Sequence, residues 1–204
     1  MALFTPNKGF KTLDFQSNSN TRVTTSVSGK THRRKIGAQF WSAKLQSPAM
    51  SKVDFMADYS FIVKQDGSFG AFTIILPEVS SSKGTVSGVI TVVANTSTDP
   101  VMSPVAGSSK VGVNTVASGT LKKGDLIKFS NHSKVYMLTE DVDMDGSSVN
   151  TLDIYPPLQT TVTASHTVTY DNVPLTVFSD KDQIKYVTSL DGTFKYEIIL
   201  NEEV

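Results

Sequence analysis

Cysteine is absent from the 204 residues, which excludes disulfide staples, thiolate metal sites and cysteine nucleophiles together. Net charge is missing too, because 19 lysines and arginines balance 19 aspartates and glutamates. Such a balance provides no long-range field toward nucleic acid or an acidic membrane. No apolar run approaches the roughly 20 residues that cross a bilayer. The opening Met1-Ala2-Leu3-Phe4-Thr5-Pro6 lacks the basic and apolar regions of a signal peptide. The expectation is a soluble chain, made in a reducing cytoplasm or in a particle assembled there, with no membrane insertion. Asn95-Thr96-Ser97 and Asn131-His132-Ser133 match the glycosylation sequon, which has no consequence without secretion.

Catalytic patterns are scarce as well. The three histidines, His32, His132 and His166, share no metal-type spacing with each other or with a carboxylate. No Gly-x-Ser-x-Gly elbow or phosphate loop accompanies the abundant serine and threonine. His132 lies in Ser130-Asn131-His132-Ser133, a turn composition that favours a surface turn histidine over a general base. Trp41, preceded by Phe40, reads as core. Neither a catalytic residue nor a cofactor site is expected.

What is present is β-structure. Short runs rich in Val, Ile, Thr, Phe and Tyr are separated by Gly, Asn, Asp and Ser clusters. Strands are expected at 21–27, 35–45, 69–76, 84–94, 126–130, 134–140, 149–155, 161–170 and 194–200. One segment has helical spacing: Val53, Met56, Ala57, Ser60, Phe61 and Lys64 between Pro48 and Gly67. Ser51 is its N-cap, Asp54 lies near its positive end, and Asp66-Gly67 stops it. A Val53/Met56/Phe61 stripe is expected to pack on a sheet. The fold class is mainly β with one helix. Serine-rich 78–83 and the stretch 165–173 look like domain edges, and a middle domain inserted into an outer one is the simplest division.

Two local motifs carry candidate chemistry. Asp141-Val142-Asp143-Met144-Asp145-Gly146 resembles the start of a calcium loop. Its twelfth position is Leu152, where the loop needs glutamate, and its flanks are strands. Asp145-Gly146 between apolar runs is itself a hairpin-turn signal, so the hairpin is the expectation and Asp141, Asp143 and Asp145 form a weak metal candidate. His32-Arg33-Arg34-Lys35 is a basic run. It reads as a solvated loop before the Ile36 strand, or as a contact for nucleic acid or an acidic partner.

Three stretches together resemble the distal tail protein of long-tailed siphophages, in its small two-domain type. They are Lys35-Ile36-Gly37-Ala38-Gln39-Phe40-Trp41, the segment from Gly124-Asp125-Leu126 to Lys134-Val135-Tyr136, and Ile154-Tyr155-Pro156-Pro157-Leu158. The resemblance implies an outer tail-tube-like β-sandwich with the helix, made of 1–84 and 168–204. It implies an inserted barrel of the oligosaccharide/oligonucleotide-binding type at 85–167. It further implies a homo-hexameric ring at the tail tip of the virion, joining tail tube protein to the tip hub protein around the channel for tape measure and DNA. The barrel would dock a side-fibre or collar protein, and His32, Arg33, Arg34 and Lys35 would face the lumen or a partner. The resemblance supplies no catalytic residue and no specific nucleic-acid binding. Two other readings compete: a carbohydrate- or receptor-binding module of a virion, which needs exposed aromatics on the barrel, and a single-stranded nucleic-acid binder, which needs a basic groove with stacking rings.

Overall fold

The computed structural model describes residues 1–93, 105–146 and 149–204. The sequon at Asn95 and the end of the strand expected at 84–94 lie outside the described residues. The chain divides into two compact units, Met1–Ile74 with Thr176–Val204, and Ile75–Leu175.

The outer unit begins with β1 (Leu3–Phe4), β2 (Thr12–Thr25), β3 (Thr31–Gln46), helix α1 (Lys52–Lys64) and β4 (Phe72–Ile74). After the insertion it continues with β13 (Leu175–Ser179), β14 (Tyr186–Thr188) and β15 (Phe194–Glu202). These strands form one seven-stranded sheet in the order β1-β4-β13-β15-β3-β2, with β14 added beside β15. Helix α1 lies against β15. Period-two alternation builds its buried face. Gln39, Trp41, Ala43 and Leu45 of β3 are buried, as are Tyr196, Ile198, Leu200 and Glu202 of β15. Trp41 is core, with Phe15 stacked on it at 5.1 Å.

Helix α1 starts where expected: the Ser51 hydroxyl accepts the Asp54 N–H at 3.3 Å. Its inward face departs from the expected stripe at two of the three positions, since only Phe61 packs inward, stacked on Phe4 at 5.0 Å. Val53 is 80% exposed and Met56 is exposed too, while Phe55, Asp58 and Ile62 are buried. The face is chosen by partners that only the fold supplies. Phe55 stacks on Phe194 at 5.1 Å, and Asp58 accepts hydrogen bonds from Asn7 and from the Tyr196 hydroxyl. Burial raises the Asp58 carboxyl above its usual range despite those bonds, and burial beside Asp58 raises the Tyr196 phenol.

The inserted unit contains the single-turn α2 (Pro77–Ser80) and strands β5 (Ile90–Val92), β6 (Lys110–Thr115), β7 (Ser118–Leu121), β8 (Leu126–Phe129) and β9 (Val135–Leu138). It ends with β10 (Val142–Asp145), β11 (Val149–Tyr155) and β12 (Thr167–Thr169). Strands β11-β6-β5-β12-β8-β9 close a six-stranded barrel, and β7 pairs with β10 as a separate ribbon. The barrel is filled by residues such as Ile127, Phe129, Tyr136, Leu152 and Val168. Strands β8 and β9 form a hairpin across the turn at Ser130-Asn131-His132-Ser133, and β11 stops at the Tyr155–Pro156 peptide, which is cis.

Both edges of the insertion lie outside 85–167. Lys83 N–H donates to Asp125 at 2.9 Å, Val173 N–H donates to the Ser80 carbonyl, and β12 pairs with β5 and β8. Gly84 shows why the serine-rich stretch is structural: a Cβ there would collide with the Thr120 carbonyl.

Candidate functional site

The pattern of β2 and β3 changes midway along their length. From Thr12 to Ser19 opposite Gln39 to Gln46, the pair belongs to the sheet, and alternate β3 residues are buried. The register then slips between Ser19 and Thr21, a bulge that faces Gly37. A Cβ on Gly37 would stand 3.0 Å from the Asn20 amide nitrogen, so glycine gives the bulge its room. Beyond the bulge, Thr21–Thr25 pairs with Thr31–Lys35, and every one of these residues is exposed. The turn closes through Ser26 N–H to the Lys30 carbonyl and Gly29 N–H to the Ser26 carbonyl, both at 2.9 Å, with Gly29 at φ +80°. The result is a two-stranded ribbon without a core. Five rungs and a tip extend on the order of 20 Å at about 3.3 Å per residue.

Its charge is one-sided in sign. Arg22, Lys30, Arg33, Arg34 and Lys35 lie on it with His32, and the chain has no Asp or Glu between Asp14 and Asp54. None of these cations forms an ion pair among the described residues. Arg22 sits directly across from Arg34, an arrangement that destabilises a strand pair. Strand alternation sends Arg22, Arg34 and His32 to one face, and Arg33 and Lys35 to the other. The sequence singled out His32, Arg33, Arg34 and Lys35 as a loop. They lie instead inside β3, because β2 supplies a pairing partner for each. Arg22 joins them only through that pairing, a long-range contact that no local pattern marks.

The other candidates separate. Among the described residues no cluster of His, Asp and Glu is arranged to hold a metal. Asp141 accepts from Lys123 N–H at 2.8 Å and then from Lys122 Nζ at 2.9 Å, which hold its carboxyl below the usual range. Asp143 and Asp145 are exposed along β10 while Val142 and Met144 point inward, so the segment is a strand and no calcium loop. Nor is Asp145-Gly146 the turn of a simple hairpin, since β10 pairs with β7 and β11 with β6 and β9. Ser147 and Ser148, which follow it, lie outside the described residues. Phe129 and Tyr136 are fully buried and form no platform for sugars. A groove of about 500 Å³ in the outer unit is lined by residues that include Lys11, Lys181, Lys185, Lys195, Ile184 and Val187.

His132 is a structural residue of the β8–β9 turn. Its Nε2 lies 2.8 Å from the Tyr136 hydroxyl and its Nδ1 lies 2.7 Å from Asn131 Oδ1. Asn131 Nδ2 donates to the Thr161 carbonyl at 3.1 Å, so Asn131 Oδ1 accepts from Nδ1 of the neutral ring, and Nε2 accepts from the Tyr136 hydroxyl. Burial first, and then nearby Lys128, His166 and Lys134, lower the ring's proton affinity. The unfolded chain therefore binds this proton at higher pH than the fold does. Stability is full above about pH 6.5 and falls as pH drops from there toward the depressed folded value. His132→Gln is expected to flatten that part of a stability profile measured by urea unfolding. A His132 ring resonance titrating at or above the ordinary histidine value would contradict this account.

Residues 89–173, within the barrel unit, match the family described as distal tail protein pb9, B domain. The chain is also similar to distal tail protein pb9 of Escherichia phage T5, with 25% identity over 175 residues that cover 82% of this chain and 78% of that protein. The resemblance to distal tail proteins drawn from the sequence is borne out by both.

Proposed function

We infer that a chain similar to a phage distal tail protein over most of its length, with a matching B domain in its middle, is a structural component of a phage tail that acts by assembly and not by catalysis. The finer reading is a homo-hexameric ring at the tail tip. It would join the tail tube protein to the tip hub protein around the channel for tape measure and DNA, and the barrel would present a side-fibre or collar protein.

The observation that supports assembly is the ribbon at 21–35. An isolated two-stranded hairpin is marginal in water, and this one places Arg22 against Arg34 with neither face on a core. A neighbouring molecule is what such an element lacks. Closed cyclic symmetry lets each copy present its ribbon to the next surface without open ends.

Excising residues 21–35 and closing the strands with Asn-Gly is expected to leave the thermal unfolding of the chain unchanged. The same change should abolish rings in negative-stain micrographs and in sedimentation. Rings that persist without the ribbon would remove it from the interface. Immunogold labelling of intact particles tests the location: label confined to the tail tip supports the reading, and label on the capsid or on fibres refutes it.

A further inference from the structure

The groove of the outer unit carries more positive charge than its own fold neutralises. Lys11, Lys181, Lys185 and Lys195 line it, and none of them makes an ion pair among the described residues. The carboxylates of the same stretch of chain are engaged elsewhere. Asp180 accepts the Asn201 amide at 2.8 Å, Asp182 accepts the Ser68 N–H at 3.0 Å, and Asp191 accepts the Thr193 hydroxyl at 2.8 Å. Glu197 lines the groove, but its two oxygens are held by Lys44 Nζ at 2.9 Å and by Gln46 Nε2 at 2.7 Å.

Aliphatic surface lies among these ammonium groups. Strand alternation puts Lys195, Glu197 and Ile199 of β15 on the face opposite the buried Tyr196, Ile198 and Leu200. Helix α1 covers that buried face, where Phe55 meets Phe194 and Tyr196. Val187 of β14 stands across from Lys195 and is 65% exposed, and Ile184 and Ile199 line the groove half-buried.

This chemistry selects among anions. Ammonium groups beside hydrocarbon favour a ligand that joins negative charge to aliphatic carbon. Tyr196 is the aromatic residue of the lining, and its ring is buried with its hydroxyl donated to Asp58. The groove thus lacks the flat face on which a sugar or a nucleobase stacks. Lysine acts as a point charge, without the planar fork by which arginine grips phosphate. Gln183 adds an exposed amide that donates and accepts, as a peptide group does. A volume of about 500 Å³ suits a few residues of extended chain.

We propose that this groove binds an extended acidic peptide segment of another protein, with its carboxylates on the lysines and its aliphatic side chains over Ile184 and Val187. This goes beyond the tail-assembly reading, uses no residue of the ribbon and does not require ring closure. Fluorescence anisotropy of the intact chain tests it, with a labelled, end-blocked hexapeptide of alternating glutamate and valine at about 50 mM salt. Saturable binding is expected. Glutamine in place of glutamate, or glycine in place of valine, should weaken it at least about 10-fold.

The triple change Lys181→Gln, Lys185→Gln and Lys195→Gln is expected to weaken binding about 10-fold, and Val187→Ser about threefold. These side chains are exposed, so thermal unfolding of both variants should match the parent. Arg22→Gln with Arg34→Gln, on the ribbon, should leave peptide binding unchanged. No saturable binding, unchanged binding by the triple variant, or equal loss from the ribbon control would overturn the proposal. Equal affinity for the glutamate–glycine peptide would overturn it too, because charge alone would then account for binding. Tripolyphosphate displacing the label at lower concentration than unlabelled peptide would assign the groove to phosphate instead. Sedimentation of the same samples reports ring formation separately, so loss of peptide binding and loss of assembly are distinguishable.

Discussion

Replacing Asp125 by alanine is expected to destabilise the barrel unit by about 3 kcal/mol and to lower its unfolding temperature by on the order of 15 °C. The carboxylate is fully buried and accepts three hydrogen bonds: Ser82 Oγ at 3.0 Å, Lys83 N–H at 2.9 Å and Lys122 N–H at 3.0 Å. Two of these donors belong to the strap that enters the unit, and the third belongs to the turn preceding β8. One side chain therefore closes the start of the insertion onto the barrel. Gly124, at φ +88°, sets the backbone so that Asp125 faces inward, and the Gly124 N–H donates to the Leu138 carbonyl. Alanine leaves three part-buried donors without their acceptor, a larger cost than the loss of a surface ion pair. The Asp125→Asn change, which keeps one acceptor oxygen, should cost roughly half as much. Differential scanning calorimetry checks both variants. A loss below about 1 kcal/mol for Asp125→Ala would show that water readily replaces the carboxylate.

Phe55→Ala should cost the outer unit about 3 to 5 kcal/mol, the range for emptying a buried aromatic site. The ring is fully buried and stacks on Tyr59 at 5.2 Å and on Phe194 at 5.1 Å, and it touches Tyr186 at 5.0 Å. Collapse into the void would have to move β14, β15 and α1 together, which keeps the cavity term large. Val53→Ala, two positions earlier on the same helix, should change stability by no more than about 0.5 kcal/mol because Val53 is exposed. Chemical denaturation of the two variants separates the faces of α1. Similar losses at both positions would mean that the helix packs on the stripe read from its sequence.

That contrast shows where sequence reading stopped in the outer unit. Hydropathy ranked Val53 and Met56 above Asp58 as core candidates. Asp58 is buried because Asn7 and Tyr196, 51 and 138 residues away, bring hydrogen bonds to it. The ribbon behaves similarly. The basic character of residues 32–35 was legible, but their extended pairing and the presence of Arg22 among them depend on β2. In the barrel, the strands at 126–129, 135–138 and 149–155 were legible because alternation and turn residues are local. The pairing of β10 with β7 was not, since Asp145-Gly146 gives the same turn signal whichever strand β10 joins.

Local chemistry therefore determined the mainly-β class, the α1 cap at Ser51 and the barrel strands at 126–129, 135–138 and 149–155. It also gave the resemblance to distal tail proteins, because turn geometry and strand propensity act over a few residues. Tertiary structure alone decided which face of α1 is buried, that residues 75–84 and 168–175 belong with the barrel, and that a basic run stands on a coreless ribbon. Those outcomes depend on partners brought together across long stretches of chain, and burial and hydrogen bonding with such partners override local preference.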